Sequence, residues 1–210
     1  MMKLRLTLLA ASAVVAVAML AGPVAGRPAP DTAHKGPTAV EAGTCSPTQR
    51  AAIVQAFSDA RALSLQAATF VEERGQDPHV ERFFGSSPRK VLAEHYRVVA
   101  AGTERLDDLD LRCEDQRVCG NGGTFAYIMH PHAQRPRAIA GFCRSFFAAA
   151  LNSGQDNRAG IVIHEVSHLV LDTRDAEYQP RAAEDLAKDE PQVAAMNADN
   201  YEYFAEFMPR

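Results

Sequence analysis

The run Ala159-Gly160-Ile161-Val162-Ile163-His164-Glu165-Val166-Ser167-His168-Leu169-Val170-Leu171 constrains this chain more than any other. It is apolar and helix-compatible, yet two imidazoles and a carboxyl sit inside it. Burying such groups is costly unless something pairs them. On a helix, residues four apart project from one face, so His164 and His168 can place two ring nitrogens on one Zn²⁺. Glu165, beside the first of them, can reach a zinc-bound water without ligating the metal and take its proton during attack on a carbonyl. The pattern His-Glu-x-x-His therefore predicts a single-zinc hydrolytic site on a helix.

Such a site needs a third protein ligand and an open fourth position. The spacing that would place Gly and His at positions 171 and 174 is excluded, because Leu171 and Arg174 stand there. Asp175, seven residues after His168, is the nearest candidate; Glu184 and Glu190 from a later helix, and Asp172, are alternatives. His130-Pro131-His132 reads differently, since Pro131 and the following Ala133-Gln134-Arg135-Pro136 suggest an exposed hairpin turn. His34, His79 and His95 show no partners by spacing.

The surroundings fit an exported protein. Lys3 and Arg5 precede an uncharged apolar run ending in small residues, so residues 1–26 read as a signal peptide. Residues 27–44, rich in Pro, Gly, Ala and Thr, read as a flexible leader, and 45–210 as one domain. The whole chain has 22 Lys+Arg against 26 Asp+Glu, and without the two basic residues of the signal the balance is 20 against 26, a net −6 that disfavours nucleic acid. No second apolar run approaches the roughly 20 residues of a membrane span. Four cysteines, all after the signal, form an even set suited to two disulfides in an oxidising compartment.

Ser46-Pro47-Thr48-Gln49 is a helix start with a capping box, and apolar residues recur at helical spacing from Ala52 through Val71, until Gly75 ends the run. A second amphipathic helix follows Ser87-Pro88 to about Leu106. Gly-rich turns then separate strand-like stretches at 124–130 and 137–142, predicting a hairpin or small sheet. Helical texture returns at 159–171, 182–188 and 193–207. The expected fold is a mostly helical α+β domain.

Asp172-Thr173-Arg174-Asp175-Ala176-Glu177-Tyr178 resembles the Gly-Thr-x-Asp-x-x-Tyr-Gly segment of the aspzincin zinc proteases. Asn197-Ala198-Asp199-Asn200-Tyr201-Glu202-Tyr203-Phe204-Ala205-Glu206 is similar to the closing helix of their peptidyl-lysine branch. The likeness runs from about Cys45 to the end and implies a zincin-like single domain. It implies His164, His168 and Asp175 as ligands of one Zn²⁺, Glu165 as general base, and Tyr178 as the donor that stabilises the oxyanion. Asp199 and Glu202, three apart on a helix, would line a pocket for a lysine ammonium, giving cleavage on its amino side. The same resemblance implies bridges Cys45–Cys113 and Cys119–Cys143. One departure stands out: Asp172 and Gln179 replace both glycines of the pattern, where glycine would permit positive φ.

The resulting expectation is a secreted, monomeric zinc endopeptidase acting on protein or peptide substrates, free of nucleic acid and membrane. Two other functions fit less of the sequence. A non-catalytic zinc-binding module would have no need of Glu165, and a zinc amidase of cell-wall peptides would differ in substrate alone.

Overall fold

The first helix forms where its cap directs it. Ser46 Oγ accepts from Gln49 N–H at 3.2 Å, Gln49 Oε1 accepts from Ser46 N–H at 2.9 Å, and Pro47 occupies the first turn, so α1 runs Pro47–Glu73. Its stripe of Ile53, Ala56, Phe57, Ala60, Ala67, Phe70 and Val71 is buried, and it packs against α3 (Arg89–Thr103). This computed structural model describes residues 43–120 and 122–209. The signal peptide, and the leader up to residue 42, lie outside the described residues.

Between those helices sits α2 (Pro78–Phe84), a short element absent from the sequence reading. Asp77 Oδ1 caps it by accepting from His79 N–H at 3.0 Å, and Pro78 starts it. It supplies Val80, Phe83 and Phe84 to the core. After α3, β1 (Asp110–Cys113) and α4 (Gln116–Cys119) lead to β2 (Ala126–Met129) and β3 (Ile139–Phe142). The expected hairpin exists as β2 antiparallel to β3, with Ala126 opposite Phe142. β1 adds to the other edge of β3 in parallel, making a three-stranded sheet of order β1-β3-β2. Cys45–Cys113 ties the entry to α1 onto β1, and Cys119–Cys143 ties α4 to the end of β3.

Past α5 (Arg144–Ala148), Asn157 caps α6 (Arg158–Leu171) through Oδ1, which accepts from Gly160 N–H at 3.1 Å. α6 passes through the core beside α1, α3, β2 and the last helix, α9 (Ala198–Glu206). The approach to α3 is close: a Cβ on Gly102 would lie 2.7 Å from Val166 and 2.8 Å from Val170. The expected helix over 193–207 is two elements, α8 (Pro191–Ala194) after α7 (Pro180–Asp189), and then α9 (Ala198–Glu206). The break falls at Asn197, which is fully buried and spends its side chain on another segment. No helix among the described residues is long and apolar enough to cross a membrane.

Candidate active site

α6 carries His164 and His168 one turn apart, with ring centroids 4.9 Å apart and planes nearly perpendicular. Helix α6 stops at Asp172, which takes the left-handed conformation at φ 56° and ψ 36°. That reversal sends the chain back along the helix, so Asp175 Oδ1 comes to 3.0 Å from His164 Nε2 and 3.1 Å from His168 Nε2. These three atoms form a compact donor group. Four-coordinate Zn²⁺ with bonds of about 2.0–2.1 Å sets its ligand atoms about 3.3 Å apart, so two nitrogens and an oxygen spaced this way fit the ion.

Electrostatics favour a cation at the same point. Burial works against a proton on His164, but Asp175, Asp199 and Glu202 outweigh it and hold its pKa well above the usual imidazole value. His168 is raised too, with burial opposing and Asp175 prevailing. Asp175 is strongly lowered despite burial, because both imidazoles face it. Metal binding would expel the protons that this arrangement retains.

The rings are oriented from behind. His168 Nδ1 donates to Thr173 O at 2.8 Å, and Thr173 Oγ1 shares a 2.7 Å hydrogen bond with Ser167 Oγ. His164 Nδ1 lies 2.9 Å from Asp199 Oδ1 and 3.1 Å from Glu202 Oε2, in ion-pair range though without the alignment of a hydrogen bond. Carboxylate and carbonyl partners of this kind leave Nε2 free to bind a metal. The loop bearing Asp175 is pinned by Asn197, whose Oδ1 accepts from Ala176 N–H at 2.8 Å and whose Nδ2 donates to Glu177 O at 3.0 Å. Thr173 and Asn197 fall within the two family-like segments, but the sequence gives neither of them a role, since neither is a titratable or ligating group.

Glu165 is half-buried, and burial raises its pKa against the pull of the two imidazoles and the Ile128 backbone. Tyr178 is 58% exposed, with its phenol pushed up to about 12 by burial and by Asp175. Both line a cavity of about 310 Å³ together with His164, Asp175, Asp199 and Glu202. Asp199 and Glu202 are nearly fully buried at 3% and 5% exposure, so they form a pocket wall rather than a solvated face. Burial pushes Glu202 up to about 7, with Asp199 adding to the rise and His164 opposing it. A larger cleft of about 700 Å³ beside Arg105, His130 and Arg137 contains none of His164, His168 and Asp175.

The other candidates lie elsewhere. Glu184 pairs with Arg82 at 2.5 Å, Glu190 caps the end of α7, and Asp172 serves as the helix terminus. His130 and His132 are exposed, and His132 closes a tight turn with Arg135. His79 and His95 do have partners: His79 Nε2 donates to Phe204 O at 2.8 Å, and His95 Nδ1 meets Tyr201 OH at 2.6 Å. Both contacts span more than a hundred residues, beyond the reach of spacing arguments.

The family model for aspzincins, described as lysine-specific metallo-endopeptidase, matches residues 70–206. A peptidyl-Lys metalloendopeptidase of Grifola frondosa is 30% identical over 171 residues, covering 79% of this chain and 46% of the relative. An extracellular protease of Aeromonas hydrophila is also 30% identical, covering 80% of this chain and 47% of that protein. The chain thus spans about half the length of these two curated relatives. Among solved structures, a zinc peptidase from Grifola frondosa superposes with a TM-score of 0.57 at 28% identity, over 77% of this chain and 96% of the other.

Proposed function

The chain belongs to the aspzincin family of lysine-specific metallo-endopeptidases, and on that premise we propose that it is a secreted zinc endopeptidase that cuts on the amino side of lysine. The observation that carries this reading is the convergence of His164 Nε2, His168 Nε2 and Asp175 Oδ1 beside Glu165, at the mouth of a buried acidic pocket. In this reading those three atoms hold one Zn²⁺, residues 1–26 are the signal peptide, 27–44 a leader, and 45–210 the catalytic domain, acting as a monomer. The extracellular relative and the two disulfides support secretion.

When bound, the ion supplies Lewis-acid polarisation of a carbonyl and a lowered pKa for water. The chain's own residues do the rest. Glu165 takes a proton from the attacking water and returns it to the leaving nitrogen, a shuttle helped by burial, which raises its pKa above the ordinary carboxylate value. Tyr178 retains its phenolic proton at neutral pH and donates it as a hydrogen bond to the carbonyl oxygen as charge develops there. Its exposure leaves it free to meet a substrate. β2 lies at an edge of the sheet beside α6, where an extended peptide can align.

Lysine suits the pocket for a chemical reason. Asp199 Oδ1 faces His164, and Asp199 Oδ2 accepts from Gln179 N–H at 2.7 Å, so both oxygens are engaged. A compact ammonium can sit against such a carboxylate as a point charge, whereas a guanidinium favours a free planar pair of oxygens. Digestion of a denatured protein mixture by the zinc-loaded chain, with cleavage sites read by mass spectrometry, tests the whole reading. Cuts before lysine that vanish with a chelator are expected. Chelator-sensitive cuts elsewhere would discard the pocket, and no cuts from folded, zinc-loaded protein would discard the enzyme.

A further inference from the structure

The pairing of β2 fixes which of its backbone groups face outward. Cys143 N–H donates to Phe125 O at 2.8 Å, and in an antiparallel ladder the bonded pairs recur at every second residue, so Phe125, Tyr127 and Met129 spend their backbone groups on β3. Ala126, Ile128 and His130 turn theirs to the open edge, where Ile128 N–H meets Glu165. The acidic cavity lies at the Ala126 end of this edge, lined by residues 123–126 and by no later residue of the strand. A lysine that follows the scissile bond occupies that end while Glu165 stands beside Ile128, so the chain before the bond runs on toward Met129 and His130, antiparallel to β2. A cation stands there. Arg135, in the tight turn after β2, folds back along the strand, with Nη2 donating to His130 O at 2.7 Å and Nη1 to Met129 Sδ at 3.4 Å. The thioether is a weak acceptor, and Nε is buried with no acceptor among the described residues. Arg135 makes no ion pair among the described residues, although Asp107 and Asp110 line the same cleft; Asp110 pairs with Arg112. Arg137 adds positive charge nearby, its guanidinium held by the carbonyls of Asp107, Asp108 and Leu109.

We propose that Arg135 forms a subsite for an acidic side chain on the amino-terminal side of the cleaved bond, so that the favoured substrates are peptide segments with Asp or Glu shortly before the lysine. The inference rests on the lysine reading above and deepens it. The guanidinium sits at His130 O, the point on the open edge past which an added strand runs. At roughly 3.3 Å per residue this is about two to four residues before the scissile bond. The edge is thus acidic at one end, where Asp199 and Glu202 meet lysine, and cationic at the other. A peptide with a carboxylate upstream and lysine downstream matches both ends in one direction only; laid in reverse, it sets like charges together at each end.

The test is kcat/KM of the zinc-loaded protein on lysine peptides carrying Glu or Gln at the second, third or fourth residue before the scissile bond, for wild type, R135Q and R135E. At one of these positions wild type should favour Glu over Gln by about two- to fivefold, the scale of an exposed ion pair, and the preference should shrink as salt is raised. R135Q should erase the preference and R135E should reverse it, a change of sign that lost packing would not produce. The ratio is taken within each variant, so one of lowered stability still reports. A wild type that cuts before lysine with no preference for Glu at any of the three positions, or a preference that R135Q retains, overturns the subsite while leaving the lysine pocket standing. A wild type that cuts without regard to lysine overturns the pocket itself, and the subsite with it.

Discussion

Gly160→Ala gives a test whose sign alone decides the argument. Gly160 lies in the first turn of α6, and a Cβ there would strike Glu206 Oε1 and lie 2.6 Å from its Cδ and 2.7 Å from its Cγ. Three consecutive atoms are blocked, so a rotation at the end of the side chain cannot relieve the clash and Glu206 must leave. Glu206 Oε2 accepts from Asp156 N–H at 3.0 Å and Oε1 from Asn157 N–H at 2.8 Å, which satisfies donors at the start of α6. Leaving two such donors unsatisfied costs about 1–3 kcal/mol each. Alanine in place of a helical glycine returns about 1 kcal/mol. The net is a destabilisation of about 3 kcal/mol, or about 6–12 °C in a domain of this size. Thermal melts followed by circular dichroism, with both proteins stripped of metal and their disulfides intact, would measure it. A G160A variant as stable as wild type or more so would refute the contact, since helix propensity acting alone predicts a gain.

Glu206 also sets a pH dependence. Burial and then Glu202 push its pKa up to about 9 from an ordinary 4.5, so the fold keeps a proton that the unfolded chain has released. Stability of the metal-free protein should therefore fall as pH rises across that window, and E206Q should flatten the decline; equal slopes for the two proteins would count against it. E165Q should bind zinc in unchanged stoichiometry while kcat/KM drops about 10²–10⁴-fold, and substantial remaining proteolysis would remove Glu165 from its role. D175A should weaken zinc binding by more than the roughly 10–100-fold typical of losing an outer-shell partner, measured by competition with a chromophoric chelator; D172A, altering a helix terminus, should leave the affinity alone.

The parts legible in the sequence were those written locally. Ser46 to Gln49 is a self-contained cap, and His164 to His168 needs only helical periodicity to converge. The strand Asp110–Cys113 went unseen because four residues with two charges carry little pattern, and its pairing with Ile139–Phe142 is parallel and distant in the chain. That Asp199 and Glu202 share a face follows from their spacing. That His164 Nδ1 faces both follows only from how α9 docks on α6, a tertiary fact with no trace in either segment alone. The contribution of Glu206 was hidden for the same reason, since its partners lie about fifty residues away.

The missing glycines at 172 and 179 expose the limit of local reasoning most clearly. Read by propensity, Asp and Gln at those positions should let the loop relax to negative φ and carry Asp175 away from the histidines. Both residues nevertheless adopt positive φ, at 56° and 74°. The intervening segment is held from two sides: His168 Nδ1 and Ser167 Oγ grip Thr173, and buried Asn197 bonds to the backbone of Ala176 and Glu177. Backbone bonds of Arg174 to Met196 and Ala198 lock the same stretch onto the start of α9. With its interior fixed, the loop has no freedom left at its ends, and the strain of about 1–3 kcal/mol expected at a residue such as Gln179 is outweighed by contacts that relaxation would break. The convergence of His164, His168 and Asp175 is therefore secured by the polar anchors around the loop, without the glycines that would have made it easy to reach.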